Sequence, residues 1–437
     1  MSALIVINDA DISVWHEQAC CYRSSAHAVL SGDDNWLFGA EARRRSRLNP
    51  RQSFDRQWLQ LDQQALHRPA GQARSHADIV WLQCQQMAAS LPEPAPECLL
   101  AVPLSFGEAR LSLLLGVMNA AGLKVSAAIE VAALAATGFA DASAWLEIDA
   151  HQWHWQELSA DDAEVYSLDA HLLSRRGLFE AEDAVMQAVA AVFLQSSRYD
   201  PLREAQTEQQ LYDALPALMS ELNRQATASV SLRSGEREYH AKIDRLTVDQ
   251  ALEPWREAAA QALSKRQGLC LVPDSLQQLP TVLQSLAGEF ELQVIDGATL
   301  WQLAQDVLAR LSLSTDGPQW IERLPLRANR GQAASAAIPG DSGGTASAAR
   351  LSATHVLFGD EARRLPGQSF ELGGEDFWPG DDVSPIAVVN TGEGIQCGDD
   401  ASELWVNGER AQAGQRLFSG DELICGDRQY RLIRCYG

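Results

Sequence analysis

A run of small and polar residues in the last third of the chain limits what it can fold into. The stretch RGQAASAAIPGDSGGTASAAR, residues 330–350, has no apolar periodicity. Such a composition is typical of a flexible linker rather than of a packed element. We therefore expect a linker over residues 312–350, one domain over residues 1–311 and a smaller domain over residues 351–437.

The two expected domains differ in the elements that their patterns favour. In the first, short apolar runs such as Leu99–Val102 alternate with helical patterns such as Gly107–Ala121, which predicts an α/β fold with helices against a sheet. In the second, only short strand-like runs such as Leu404–Val406 occur between Gly, Asp and Pro turns. This pattern predicts a small all-β sandwich. No internal sequence repeat is visible.

Charge and composition disfavour several classes of function. The chain of 437 residues has a net charge of −23, which disfavours binding to the phosphate backbone of nucleic acids. The N-terminus MSALIVIND lacks the pattern of a signal peptide, and no apolar run reaches the ~20 residues that span a membrane. The eight cysteines form no C-x-x-C pair, so we expect reduced thiols, a cytoplasmic location and no membrane insertion.

One segment resembles a known family. Leu99–Gly138 is similar to the DnaK-type heat-shock chaperones of the actin-like ATPase superfamily. The matching groups, in the family's order and spacing, are Val102-Pro103, Phe106, Ala109-Arg110, Ala121-Gly122-Leu123 and Glu130–Leu134. Weaker similarities at Gly39–Pro50, Val230–Ile243 and Cys270–Val307 extend the resemblance over about residues 1–311. It implies an actin-like, two-lobed α/β fold.

The phosphate-binding hairpins of that family depart from its pattern in this chain. The family's first hairpin reads D-L-G-T-T-N-S and its second D-x-G-G-G-T-x-D, because backbone N–H groups must approach the phosphates closely. Here Asn8–Ser13 (NDADIS) and Asp149–His154 (DAHQWH) stand in those places, without glycine. In the stretch WLEIDAHQWHWQEL, the turn between two predicted strands must therefore form on Ala150, His151 and Gln152. The bulky side chains of this turn are expected to fill the phosphate space.

Two further elements of the nucleotide site are also missing. The family's G-G-S-S-R-x-P adenosine loop corresponds to Pro273–Pro280 (PDSLQQLP), which has neither the glycines nor the arginine. The family's catalytic lysine lies in the first lobe before the V-P strand, whereas the first lysine here is Lys124, and Arg56 is the nearest cation to the place of that lysine. Arginine does not replace such a lysine. We therefore expect no catalytic residues, no bound nucleotide or other cofactor, and no enzymatic activity.

The C-terminal residues carry a second resemblance. Leu404–Arg410 with Gly420-Asp421 is similar to the end of a forkhead-associated domain (V-N-G…G-D). Those modules bind phosphothreonine through an arginine that follows a glycine and through a Ser-x-x-His motif. Here Gly373-Gly374 replaces Gly-Arg, and no histidine follows Ser384 at that spacing. The resemblance therefore implies the fold and not phosphopeptide binding.

Three local groups of side chains admit two interpretations each. His151 and His154 have H-x-x-H spacing, which suits either a metal or a packed hairpin turn, and packing is favoured because no third ligand lies nearby in the sequence. Asp9, Asp11 and Asp149 together would suit Mg²⁺, but we expect no metal site. Arg43-Arg44-Arg45 is expected to be a solvated face or to form ion pairs.

The expected function follows from the departures of this chain from the family's nucleotide-binding pattern. The chain is expected to be a non-enzymatic pseudo-ATPase that acts as a scaffold or adaptor through protein–protein interaction in a bacterial cytoplasmic assembly. Its partners would be proteins, not nucleic acids. The alternative is an ATP-dependent DnaK-like chaperone or ATPase with a divergent cleft. Under that alternative, Asp9, Asp11 and Asp149 would bind the cofactor.

Overall fold

A computed structural model gives the fold as a mixture of helices and several β-sheets. Two compact units occur along the chain, Met1–Gln332 and Ala333–Gly437. The structure describes residues 2–103, 105–161, 163–264, 268–311 and 317–326, and from residue 355 onward the strands given below with a few adjoining residues. Within these residues, no helix combines the length and the apolar character that crossing a bilayer requires.

The described residues of the first unit contain strands β1–β19. These are β1 (Ala3–Val6), β2 (Ile12–His16), β3 (Ala19–Ser24), β4 (Ala28–Ser31), β5 (Asn35–Phe38), β6 (Ser53–Phe54), β7 (Ala65–Ala70), β8 (Ala73–Ser75), β9 (Glu97–Val102), β10 (Lys124–Glu130), β11 (Ala142–Ile148), β12 (Trp153–Ala160), β13 (Glu164–Ser174), β14 (Thr227–Ser234), β15 (Arg237–Asp244), β16 (Leu269–Pro273), β17 (Leu292–Ile295), β18 (Gln319–Ile321) and β19 (Arg323–Pro325).

The same residues contain helices α1–α9. These are α1 (Gly39–Ser46), α2 (His76–Ala89), α3 (Glu108–Ala120), α4 (Val131–Ala136), α5 (Leu178–Ser197), α6 (Ala205–Arg224), α7 (Arg245–Leu263), α8 (Pro280–Glu289) and α9 (Gly297–Leu308). Short 3-10 helices lie at Gly32–Asp34, Pro201–Arg203 and Asp274–Gln278. The helix predicted over Gly107–Ala121 is confirmed as α3, and Asp200-Pro201 begins the 3-10 helix that separates α5 from α6.

Two six-stranded sheets share the topology of five of their strands. In the first, the order is β18-β10-β9-β1-β2-β3, and in the second it is β17-β16-β11-β12-β13-β19. In each sheet a three-stranded antiparallel meander comes first, β1-β2-β3 or β11-β12-β13. One later strand then pairs in parallel with the first strand of the meander, and a second pairs in parallel with that later strand. The sixth strand differs, since β18 pairs with β10 and β19 pairs with β13. The fold therefore repeats although the sequence shows no repeat.

One apolar core contains side chains from both large sheets and from α4 and α9. All six residues of α4, Val131–Ala136, are buried, and α9 contributes Leu300, Leu303 and Val307. Leu4 and Leu99 of the first sheet and Leu271 of the second belong to the same core. Because four of the six residues of α4 are alanine, this helix can approach its neighbours closely.

Smaller sheets extend the two large ones. The order β5-β4-β6 forms a three-stranded sheet, β7 pairs with β8, and β14 pairs with β15. β14 and β15 form an antiparallel hairpin around Ser234-Gly235, in which Thr227 lies opposite Asp244 and Ser234 opposite Arg237. Gly235 has φ +58°, a conformation that favours glycine.

The predicted linker is wrong for its described part. β18 pairs in parallel with β10 at the edge of the first sheet, and β19 pairs with β13 at the edge of the second. Residues 317–326 therefore belong to the packed first unit rather than to a linker. Residues 312–316 and 327–350 lie outside the described residues.

The described residues of the second unit form two antiparallel sheets. The strands are β20 (His355–Phe358), β21 (Glu361–Arg364), β22 (Phe370–Leu372), β23 (Ile386–Thr391), β24 (Gly394–Cys397), β25 (Leu404–Val406), β26 (Glu409–Arg410), β27 (Arg416–Leu417), β28 (Glu422–Cys425) and β29 (Arg428–Ile433). One sheet has the order β21-β20-β29-β28-β25-β26 and the other β22-β23-β24-β27. Gly373, Gly374 and Ser384, on which the phosphopeptide comparison depends, lie outside the described residues.

Candidate functional site: the join between the two large sheets

The turn between β11 and β12 is docked on the N-terminus of α5. Asp149 N–H donates to the carbonyl of Gln152 at 2.8 Å, which closes the turn. The carbonyls of Asp149 and Ala150 each accept a hydrogen bond of 2.9 Å, from the N–H groups of Leu178 and Phe179. A helix N-terminus has unpaired N–H groups, and here the turn itself satisfies two of them.

The glycine that this turn needs is supplied by another part of the chain. A Cβ atom on Gly177 would lie 2.3 Å from the carbonyl oxygen of Asp149 and 2.4 Å from the backbone nitrogen of Gln152. Only a residue without a side chain allows α5 to approach the turn so closely. A turn formed by Ala150, His151 and Gln152 is thus possible because the glycine lies at the start of α5.

The loop between β1 and β2 faces this turn and is joined to it by hydrogen bonds. Asn8 Nδ2 donates to Glu147 Oε1 at 2.8 Å and to the carbonyl of Ile148 at 3.1 Å. The N–H of Ala150 donates to Asp9 Oδ1 at 2.5 Å. The backbone N–H at the turn of the second hairpin is therefore occupied by a carboxylate of the first.

A buried group of carboxylates surrounds that contact. Asp9, Glu147 and Asp149 are each less than a tenth exposed. Burial raises the pKa of Asp9 to about 7, and the charge of Asp149 adds to the rise. Burial and Asp149 likewise raise the pKa of Glu147 to about 8. His154, whose Nε2 lies 3.3 Å from Asp149 Oδ2, provides the partly compensating positive charge.

His151 points away from these carboxylates. It is 4% exposed, and its Nδ1 lies 2.7 Å from Glu180 Oε1 while its Nε2 lies 3.1 Å from the carbonyl of Asp55. Burial lowers the pKa of His151, but hydrogen bonds and charge from Asp55 and Glu180 outweigh this and raise it to about 10. The imidazolium therefore links the turn to α5 and to the segment before Trp58.

A second buried contact joins β4 to α5 and α6. His27 Nε2 and the Tyr212 hydroxyl are 2.9 Å apart, and that hydroxyl donates to Glu182 Oε2 at 2.9 Å. Arg43 donates to the same carboxylate at 2.7 Å, and its guanidinium lies 3.7 Å from the centre of the Tyr212 ring. Burial lowers the pKa of His27 to about 3, so His27 is neutral and His27 Nε2–H donates to Tyr212.

A third contact lies next to the 3-10 helix Asp274–Gln278. Arg23 donates to Asp11 Oδ1 at 2.7 Å, to Asp11 Oδ2 at 2.5 Å and to Asp274 Oδ2 at 3.1 Å. The Arg23 side chain is 53% exposed, so this contact contributes little to stability. Arg23 nevertheless binds two acids at once, Asp11 of the first hairpin and Asp274 in the segment Pro273–Pro280.

A large cavity lies beyond Arg23. It has a volume of about 780 Å³, and its walls include Arg23, Asp274, Met219, Leu283 and Val294. This volume is within the range of small-molecule pockets, roughly 300–1,000 Å³. The two hairpins therefore contact each other directly, whereas a cavity remains beside the 3-10 helix.

The three carboxylates singled out in the sequence do not act together. Asp9 and Asp149 are close enough for their charges to interact, but Asp11 is bound to Arg23. The structure also separates His151 from His154, because their hydrogen-bond partners are different. Throughout the described part of the chain, no group of three or more His, Cys, Asp or Glu side chains has the arrangement of a metal site.

Arg56, the cation named in the sequence for the place of the family's catalytic lysine, lies beside Glu180 and not beside the hairpin carboxylates. Arg56 donates to Glu180 at 3.3 Å. Arg110 on α3 is the arginine whose charge acts on them: burial lowers its pKa, and Asp9 and Asp149 oppose that change. Arg43, expected to be solvated or ion-paired, is partly buried and paired with Glu182.

Several residues of this join were missed in the sequence. Arg23, His27, Gly177 and Tyr212 belong to no motif, and their partners lie far away along the chain. Only Asp274 carried a signal, because it follows the β16 strand at the place of a missing glycine-rich loop. No family model matches the chain, and no curated protein sequence matches it either.

Proposed function

We propose that the first unit is an actin-like, DnaK-type domain whose phosphate site is occupied by its own side chains. The protein would then be a non-enzymatic scaffold or adaptor rather than an ATPase. Two features support this proposal. Two sheets that share the topology of five strands also share a core with α4 and α9, and the two turns that would hold phosphates in the family are joined by hydrogen bonds here.

The hydrogen bond from Ala150 N–H to Asp9 Oδ1 carries the proposal. In an ATPase of this kind, N–H groups of the second hairpin bind phosphate oxygens. Here the carboxylate of Asp9 takes the place of such an anion. The charge of Asp149, which raises the pKa of both Asp9 and Glu147, would also repel the phosphates of ATP, since like charges at short range are strongly unfavourable in a buried site.

The scaffold role follows from the second unit and from the charge of the chain. The second unit, which we propose to be a forkhead-associated-like β-sandwich, has an exposed Trp405 with Arg410 5.9 Å from its ring. Aromatic and arginine side chains are enriched in protein interfaces. A net charge of −23 favours protein partners over nucleic acids, and we propose a cytoplasmic assembly as the setting.

One observation favours a second candidate, an ATP-dependent DnaK-like ATPase with a divergent cleft. The cavity of about 780 Å³ beside Asp274 is large enough for a nucleoside. Asp9 and Asp149 would then hold the metal–phosphate group, with Asp11 beside them. This candidate requires the bond between Asp9 and Ala150 to break on binding.

The stability of the full chain in the presence of ATP and Mg²⁺ distinguishes the two candidates. A ligand at a hundredfold excess over its Kd stabilises the folded state by about 2.7 kcal/mol, which a thermal melt detects. We expect no rise in Tm with ATP or ADP at millimolar concentrations. A rise that Asp149→Ala abolishes and Glu41→Gln leaves intact would establish the second candidate instead.

The scaffold role has its own experiment. A specific protease site placed between Gln332 and Ala333, at the boundary of the two units, allows the chain to be cut between them after purification. If both units contact one assembly, cutting should weaken partner binding by about 100-fold or more, because the second contact is no longer intramolecular. A chain that retains no partner, or a cut chain that binds as tightly as the intact one, would contradict the scaffold role.

A further inference from the structure

The hairpin of β14 and β15 has a long edge without a strand partner. Within the described residues, the two strands form a sheet of their own, and they pair over eight residues each without a register shift. A regular edge strand carries a row of unpaired N–H and C=O groups on which another strand can add. β3, at the edge of the first large sheet, differs because its register shifts, and such an irregularity opposes strand addition.

The outer edge of β14 is capped by a side chain of α6. Gln210 Nε2 donates to the carbonyl of Arg233 at 2.9 Å, and Gln210 Oε1 accepts the Arg233 N–H at 2.8 Å. On β15, the hydrogen bond of the His240 side chain goes to the facing Ser231 hydroxyl. Among the described residues, the outer edge of β15 therefore has neither a strand neighbour nor such a cap.

The backbone groups at this outer edge belong to Glu238, His240 and Lys242. Arg245 N–H donates to the carbonyl of Ala226 at 2.9 Å, directly across the hairpin. Hydrogen-bonded pairs alternate with non-bonded pairs along an antiparallel ladder, so every second residue back from Arg245 bonds to β14. The three even-numbered residues between them turn their N–H and C=O groups outward. All three are exposed, so a second strand has access to them.

The side chains along the edge carry complementary charges. Glu238 lies 3.9 Å from His240 Nε2, and Lys242 forms no ion pair with a described residue. A two-fold axis at His240 places Glu238 of each chain opposite Lys242 of the other, and opposite charges directly across an antiparallel pair are favourable. An axis moved to Ala241 places Glu238 against Asp244 instead, which is unfavourable because the charges are alike.

We propose that β15 pairs antiparallel with β15 of a second copy of this chain, about a two-fold axis at His240. The two hairpins then form one four-stranded sheet, and both copies use the same surface, as in most homodimers. The net charge of −23 per chain opposes association, but charges more than about 8 Å apart are screened at physiological ionic strength. The contact is small, so the dimer is weak and depends on concentration. It does not depend on the proposed scaffold role.

Sedimentation velocity of the full chain tests for the dimer over concentrations from about 1 μM to about 1 mM. Glu238→Lys and Lys242→Glu each turn both facing pairs into like-charge pairs, so each should weaken dimerisation by about tenfold or more. The double variant restores opposite charges across the axis and should dimerise as the native chain does. Within one chain the two residues are about 13 Å apart along the strand, so this recovery reports on the contact between chains.

A matched control tests for a general effect of charge. Glu108→Lys changes the net charge as Glu238→Lys does, at the exposed start of α3, and should leave dimerisation unchanged. Thermal melts check that every variant folds.

A cysteine at the axis tests the register. In a hydrogen-bonded antiparallel pair the Cα atoms lie about 5.5 Å apart, which a disulfide can span. An oxidant should therefore link two chains of His240→Cys. A register centred one residue away would separate these positions by more than about 7 Å, beyond the reach of a disulfide. Ser231→Cys, exposed on β14, should give no more cross-linking than the native chain.

Three results would overturn the proposal. The first is a native chain that stays monomeric up to about 1 mM. The second is a dimer that neither single charge variant weakens, or that the double variant fails to recover, because the contact then lies elsewhere. The third is a yield of cross-linked dimer from His240→Cys that is no higher than the yield from Ser231→Cys.

Discussion

Asp9 and Ala150 meet where the two six-stranded sheets join: the carboxylate Oδ1 of one accepts the backbone N–H of the other at 2.5 Å. The two residues are 141 positions apart, and both are less than a tenth exposed. The bond satisfies a buried N–H that would otherwise be unpaired, at the cost of burying a carboxylate next to Asp149. These two opposing effects make the position testable by substitution.

Asp9→Ala should destabilise the protein. Ala150 N–H loses its acceptor inside the protein, which costs about 1–3 kcal/mol. Asp9→Asn keeps an oxygen at the same place and removes the buried charge, so at neutral pH it should be at least as stable as the native chain. Urea unfolding of both variants measures the difference. Equal stability of the alanine and asparagine variants would mean that the bond to Ala150 contributes nothing.

The stability of Asp9→Asn relative to the native chain should also depend on pH. The pKa of Asp9 is about 7 in the folded protein and 3.8 in an unfolded chain. Between these values the folded state binds more protons, so native stability falls as pH rises through that window. Asparagine does not titrate, so the variant should gain Tm over the native chain between about pH 5 and about pH 8.

A matched control separates this effect from general changes with pH. Glu41→Gln removes an exposed carboxylate on α1, and its Tm difference from the native chain should be the same at both pH values. If Asp9→Asn behaves like this control, Asp9 is ionised normally in the folded state. The buried arrangement around Ala150 would then be incorrect.

Gly177→Ala should be strongly destabilising. Its Cβ would lie 2.3 Å from the Asp149 carbonyl oxygen, and backbone cannot move aside as a flexible side chain can. Overpacking of this kind costs about 3 kcal/mol or more. Gly116→Ala is the control, since its Cβ meets nothing within 4 Å on the exposed face of α3, and it should stabilise by about 0.5–1 kcal/mol. Similar Tm values for the two variants would contradict the close approach of α5 to the turn.

Much of the local structure could be predicted because it depends on local patterns. Alternating apolar residues identified β11 and β12, and Ser234-Gly235 marked the turn of β14 and β15. Trp153 and Trp155, which alternate with polar residues along β12, are buried. In these cases the period of the side chains and the turn chemistry act over a few residues.

The rest depends on contacts between distant parts of the chain. β18 and β19 have three residues each and exist only through pairing with β10 and β13, so no local propensity identifies them. Arg23 and Asp274 are 251 positions apart. The sequence shows that the turn at Ala150 lacks glycine. It does not show that Gly177 lies against that turn. A single sequence does not show which distant backbone segment will approach that turn.

The last prediction concerns the Tyr212 hydroxyl. Tyr212→Phe leaves the ring, and with it the contact to Arg43, in place. It removes the acceptor of His27 Nε2–H and one of the donors to Glu182, which keeps its bond to Arg43.

The loss should therefore come chiefly from the unpaired N–H of His27 and amount to about 1–3 kcal/mol. His27→Phe combined with Tyr212→Phe should cost less than the sum of the two single changes, since the second finds the donor already gone. A double-variant cycle by urea unfolding measures that difference. Additive costs would mean that the two side chains do not share this hydrogen bond.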